Sequence, residues 1–214
     1  MAGNAKDVRL QNVTLRAVKP DLLCSSTKCG DLMGRRISSF VGALGLLALA
    51  NPAGAQSKAA KIASALAAAP ASVSKDATVK DWPDSAGKMA VLRPGSNGWV
   101  CFPSHPKSKY VTNDAMCLDE QMQEWMAAMV EQRKPNITTV GYSYMLTADE
   151  WVSNNDLAAK GPTPTNQWFR ERPHVMMVYP DPMMLDPIPT KPSTSRPFVM
   201  AAGTPYAHVM WPMR

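Results

Sequence analysis

Between residues 118 and 130, apolar side chains recur at Leu118, Met122, Trp125, Met126, Met129 and Val130. Steps of three and four of this kind lay one apolar stripe along a helix. Asp119 and Glu120 suit its first turn, Arg133 and Lys134 its last, and Pro135 ends it. Elsewhere past residue 97 the pattern is extended. Short β-rich runs at 99–102, 141–147, 174–179, 197–202 and 206–211 are each bounded by turn residues. Long polar stretches at 148–173 and 180–196 read as Pro-rich loops, and loops of that length are often functional. The pattern predicts an α+β domain, an antiparallel sheet of four or five short strands packed against one main amphipathic helix.

The N-terminal third follows a different logic. "MGRRISSFVGALGLLALANPAGAQ", residues 33–56, has a basic start at Arg35 and Arg36, an apolar run from Phe40 to Ala50, and Ala53-Gly54-Ala55 before Gln56. That is the build of a secretory signal peptide. Its apolar run is about half the roughly 20 residues a membrane span needs, so no stable anchor is expected after cleavage. The expected location is periplasmic or secreted; the arginine pair leaves general and twin-arginine export both open. Residues 1–32 lack apolar periodicity and read as a non-native extension upstream of a true start at Met33. Residues 56–80 read as a flexible or partly helical linker, and 81–214 as the compact domain.

Charge and cysteine content then change the picture. Residues 56–214 carry 16 Lys and Arg against 14 Asp and Glu, a net of +2 where the whole chain is +6. The basic balance therefore lies mostly upstream, which removes the main argument for nucleic-acid binding. Cys101 and Cys117 are the only cysteines after residue 55, and an even pair in an oxidising compartment predicts a disulfide. Cys24 and Cys29 have no second pair with which to build a zinc site.

Three kinds of site fit the remaining residues. His-Val-Met occurs twice, at 174–176 and 208–210, in a chain with three His. Residues i and i+2 share a strand face. A hairpin turning at Gly203-Thr204-Pro205 would pair Met200 with His208, gathering His174, Met176, Met200, His208 and Met210 on one face. Imidazole and thioether suit copper or another soft metal. The competing reading is core packing, because both faces of these strands are apolar. The second kind is a small serine hydrolase centred on Ser143, with His174 or His208 and Asp181 or Asp186; "GYSYM" lacks the second Gly of a nucleophile elbow. The third is a non-catalytic site for a small molecule or a periplasmic protein partner. Trp151, Trp168, Phe169, Arg170, Arg172, Tyr179 and Tyr206 border the long loops, where a rigid sheet presents aromatic and Arg side chains. His105 reads as an exposed loop residue.

The segments "GWVCFPSHP", "NDAMCLDEQMQEWMAAM", "GYSYML", "PHVMMVYPDP" and "GTPYAHVMWP" together resemble a group of exported bacterial proteins with no assigned activity. The resemblance implies one domain over about residues 97–213 and brings no catalytic residues with it. The expectation is an exported binding protein of unspecified ligand, with soft-metal binding and hydrolysis as alternatives.

Overall fold

A computed structural model describes residues 56–213. The proposed extension over 1–32, the leader over 33–55, and Cys24 and Cys29 lie outside the described residues. α1 (Lys58–Ala67) begins where the Ser57 hydroxyl accepts the Ala60 N–H, and α2 (Ala71–Ser74) is a single turn. Then come β1 (Thr78–Lys80), β2 (Val91–Arg93), β3 (Val100–Phe102), β4 (Val111–Asn113), β5 (Met116–Leu118) and α3 (Glu120–Val130). β6 (Gly141–Met145), β7 (Asp149–Ser153), β8 (Trp168–Glu171), β9 (His174–Val178), β10 (Phe198–Met200) and β11 (His208–Pro212) complete the order, with a 3-10 turn at Pro182–Leu185.

The expected α+β domain of one helix on four or five antiparallel strands is overturned. The protein is mostly sheet, with eight strands in the order β10-β11-β9-β6-β5-β3-β1-β2 and a second sheet ordered β4-β7-β8. The large sheet is mixed, because β1 runs parallel to β3 while its other neighbouring pairs are antiparallel. The reason for the misreading is local. β1, β2, β4 and β5 have three residues each, too few to display alternation. β7 and β8 carry Glu150 and Glu171 at the inward-facing positions they share with Val152 and Phe169, so they read as polar loop.

Pleating sorts the large sheet into two faces. Val100, Phe102, Leu118, Met145, Met176, Val178, Phe198, Met200 and Met210 form the main core with Met122 and Trp125 of α3. Phe169 and Val152 of the small sheet pack against the same core. The opposite face carries Val79, Cys101 and Cys117 beneath the alanines Ala65, Ala68 and Ala69 of the α1 region. The 56–80 segment thus supplies α1, α2 and β1, packed into the domain.

α3 lies close over β6 because Gly141 has no side chain. A Cβ there would stand 2.5 Å from Gln121 Cβ and 2.8 Å from Val178 Cγ2. The Asp119 carboxylate fixes the helix start, accepting the Met122 N–H at 2.9 Å and the Tyr142 N–H of β6 at 2.7 Å. Among the described residues no helix is long and apolar enough to cross a membrane.

Cys101 and Cys117, direct partners across β3 and β5, form the disulfide. The bond closes a loop with a sequence separation of 16. Replacing both cysteines by Ala is expected to lower unfolding free energy by about 3 kcal/mol, read from urea denaturation. Stability equal to wild type would show that the strand pairing alone holds this loop.

Candidate functional site

A cavity of about 480 Å³ opens where the small sheet meets the β9–β11 end of the large one. One wall is β8 with Phe169, Arg170, Glu171 and Arg172; the other is Phe198, Met210 and Pro212, with Pro192, Ser193 and Thr194 from the second Pro-rich loop. His174, two residues past Arg172, completes the lining. Phe169 meets Phe198 edge-on at 5.7 Å, which holds the two sheets together at this point.

The polar groups of this cleft differ in how they are satisfied. Arg170 is committed: its Nε and Nη2 donate to the two oxygens of Asp149 at 2.7 and 2.9 Å. Arg172 reaches the same carboxylate only at 3.9 Å, and its side chain is 56% exposed, so its guanidinium retains free donors at the rim. Deeper in, Glu171 is 6% and His174 2% exposed. His174 Nδ1 lies 2.6 Å from the Arg172 carbonyl oxygen. A carbonyl only accepts, so Nδ1 carries the hydrogen and Nε2 presents a lone pair. That Nε2 and the Glu171 Oε1 have no hydrogen-bond partner. The Glu171 Oε2 lies 3.8 Å from Nε2, too far for a hydrogen bond.

Burial decides the charge states here. It drives His174 down to about 4 against an ordinary 6.5, a shift the Arg172 carbonyl only partly offsets. It also drives Glu171 well above the usual carboxylate range. Glu150, the cross-strand partner of Glu171, is raised by burial, then by the charges of Glu171 and Asp114. At neutral pH the cleft floor is therefore an uncharged acid beside an uncharged imidazole.

The sequence-derived candidates separate in space. Phe169, Arg170 and Arg172 share the cleft with His174 and Met210. Trp151 pairs with Arg170 and is 42% exposed, and Trp168 packs edge-on to Tyr110 at 5.1 Å. Tyr179 and Tyr206 lie at other surfaces. Tyr206 stands edge-on to Trp125 and donates its hydroxyl to the Arg133 carbonyl oxygen at 3.2 Å, and Tyr179 borders a smaller cavity beside Trp125.

The five soft-ligand candidates share the α3-facing side of the sheet. Met200 lies directly opposite His208, and Met210 directly opposite Met176. His174 stands opposite Pro212, four positions along β11 from His208. Among the described residues no three His, Cys, Asp or Glu side chains converge as a metal-binding group. Ser143 is fully buried, between Met176 and Leu118, and its hydroxyl bonds to nothing. Asp181 caps the 3-10 turn by accepting the Met183 N–H, and Asp186 follows that turn at the exposed surface. No activated serine is assembled from these residues.

Folding also creates one cluster that the sequence did not suggest. His105 Nδ1 lies 2.7 Å from Asp114 Oδ2, and Ser104 donates to Asp114 Oδ1 at 2.8 Å. Burial pushes Asp114 up, but these hydrogen bonds outweigh it and leave its pKa below the ordinary value. His105 also stacks on Trp82 with centroids 4.1 Å apart. Ser104 bonds the carboxylate and not the imidazole, so the trio pins the disulfide loop and activates no hydroxyl. The signal was nine residues of sequence separation inside one cystine loop.

No protein-family model, curated protein or solved structure matches the chain. The site is therefore read from its own chemistry.

That chemistry makes stability depend on pH in both directions. Unfolded, a Glu ionises near 4.5 and a His near 6.5. Above 4.5 the native state keeps carboxyl protons that the unfolded chain has released, so stability falls as pH rises toward the raised carboxyl values. Between 6.5 and about 4 the unfolded chain binds imidazole protons that native His174 and His208 refuse, so stability falls on acidification. Unfolding free energy measured in urea is expected to be highest where the trends oppose, between 4.5 and 6.5. Glu171→Gln is expected to flatten the alkaline limb. An unchanged limb would show that Glu171 ionises freely in the folded protein.

Proposed function

We propose that this is an exported, non-catalytic binding protein whose ligand occupies the cleft between β8 and the β10–β11 edge. One observation carries the reading: Glu171 Oε1 and His174 Nε2, both buried, stand unpartnered among the residues lining a single cavity. Buried polar atoms in folded proteins nearly always have a partner. Two orphans at one cavity fit a site whose missing partner is a ligand.

The lining defines the chemistry of that ligand. Phe169, Phe198, Met210, Pro192 and Pro212 take an apolar body. The neutral Glu171 carboxyl donates and accepts, and His174 Nε2 accepts, so together they suit a hydroxyl or amide. Arg172 at the rim, with its free donors, suits a carboxylate. The cavity volume of about 480 Å³ lies in the range of small-molecule sites. We therefore read the ligand as a small hydroxylated acid with an apolar body. Export is supported by the leader pattern and by a disulfide suited to an oxidising compartment.

The test is calorimetric titration with small aromatic and medium-chain acids, each with and without a hydroxyl. Hydroxylated acids are expected to bind better than their parents, and Arg172→Ala to weaken binding about tenfold, or about 1.4 kcal/mol. Binding by no member of the panel, or binding indifferent to both Arg172→Ala and Phe169→Ala, would sink the reading.

A further inference from the structure

The floor of the cleft is short of positive charge. Glu171 and Glu150 are direct partners across β8 and β7, so both carboxyls lie on the inner side of the small sheet. Asp114, whose charge bears on Glu150, is already taken by His105 and Ser104. Among the described residues no Lys or Arg stands within ion-pair distance of Glu150 or Glu171. Arg170 is held by Asp149, and Arg172 reaches that same carboxylate from the rim. The basic group beside Glu171 is His174, which burial keeps neutral.

The unpartnered atoms on this floor are acceptors. His174 Nε2 offers a lone pair, Glu171 Oε1 meets no donor, and Glu171 Oε2 stands 3.8 Å from Nε2. Once ionised, Glu171 accepts at both oxygens. A hydroxyl brings one hydrogen to this set. An ammonium brings three, together with the positive charge that the floor lacks. Arg172 gives the rim the opposite preference, for a carboxylate. The lining is thus polarised, with Phe169, Phe198 and Met210 available to an apolar group.

We propose that this cleft takes an amino acid with an apolar side chain, its ammonium on Glu171 and His174 and its carboxylate on Arg172. This rests on the cleft being a ligand site, and it sets an ammonium where a hydroxyl would otherwise sit. Binding then moves one proton. In the empty cleft Glu171 keeps its proton, because burial raises its carboxyl above the ordinary range. The incoming ammonium is already charged, so Glu171 releases that proton to solvent and is left as a carboxylate paired with a cation. Glu150 stays protonated beside it, since burial and the charge on Glu171 both raise it. Asp114, held low by its hydrogen bonds, is ionised throughout, and His174, down at about 4, takes no part near neutral pH. Amino-acid binding is therefore linked to proton release and strengthens as pH rises, whereas a hydroxy acid releases no proton.

The experiment is calorimetric titration of the full chain with L-phenylalanine, phenyllactate and phenylpropionate, which differ only in the α substituent. It is run at about pH 6, 7 and 8, in paired buffers of different ionisation enthalpy that report protons released. At the highest pH L-phenylalanine is expected to bind at least about tenfold tighter than phenyllactate. Its affinity is expected to rise by up to about tenfold per pH unit, with about one proton released at the lower end. Phenyllactate affinity is expected not to rise. Glu171→Gln is expected to abolish both the amine preference and the rise; if that variant fails to fold by urea denaturation, proton release by the wild-type protein carries the test. L-phenylalanine bound no tighter than phenylpropionate, or bound without proton release, would overturn the proposal. Phenyllactate bound in preference to L-phenylalanine would overturn it and leave the cleft reading standing. Binding by none of the three would overturn both.

Discussion

The pairing register of the central strands is the constraint on which the rest of the structure depends. Phe198, Met210, Met176, Ser143, Leu118 and Val100 form one continuous cross-strand row through six strands, and all are buried. Side chains alternate with a period of two, so a slip of one residue anywhere would carry this row to the other face. The disulfide joins direct partners on β3 and β5, and therefore holds the register of that pair covalently. Gly141, on the same face of β6 as Ser143, lets α3 come close to that strand.

With register set, the placement of ionisable groups follows. β9 and β11 each begin with a His on the buried face, and β8 ends with Glu171 on the inner face of the small sheet. Burial neutralises all three, so the core holds these polar groups without holding their charge. The charged residues of the same strands sit elsewhere: Arg170 is tied to Asp149, and Arg172 points at the rim. The cleft is thus graded from cationic rim to neutral floor.

Much of this was legible where a segment is long enough to show its period. The stripe from Leu118 to Met129 located α3, the cysteine pair its disulfide, and counting outward from Gly203 placed Met200 opposite His208. Three-residue strands left no period to read, and the parallel pairing of β1 with β3 depends on contacts distant in sequence. The small sheet was hidden for a different reason. A Glu in a strand is taken to face water, whereas Glu150 and Glu171 stand opposite each other on the inner side. Their burial is a property of the assembled sheets. Of the aromatic and Arg candidates, composition alone could not separate Phe169 and Arg172, at the cleft, from Tyr179 and Tyr206, elsewhere.

The repeated tripeptide shows why polar atoms in a core carry information. A Leu at position 174 or 208 would fill a comparable space with no polar atom to satisfy. An unpartnered buried nitrogen costs about 1–3 kcal/mol, against a total stability of order 5–15 kcal/mol for a domain. His174 and His208 carry that cost twice, with the same tautomer set by the same backbone contact and with thioethers on adjacent positions. Packing alone accounts for the methionines, which fill gaps in many cores. It does not account for two imidazoles held with their lone pairs aimed at nothing. A ligand in the cleft would take the lone pair of His174, which lines it.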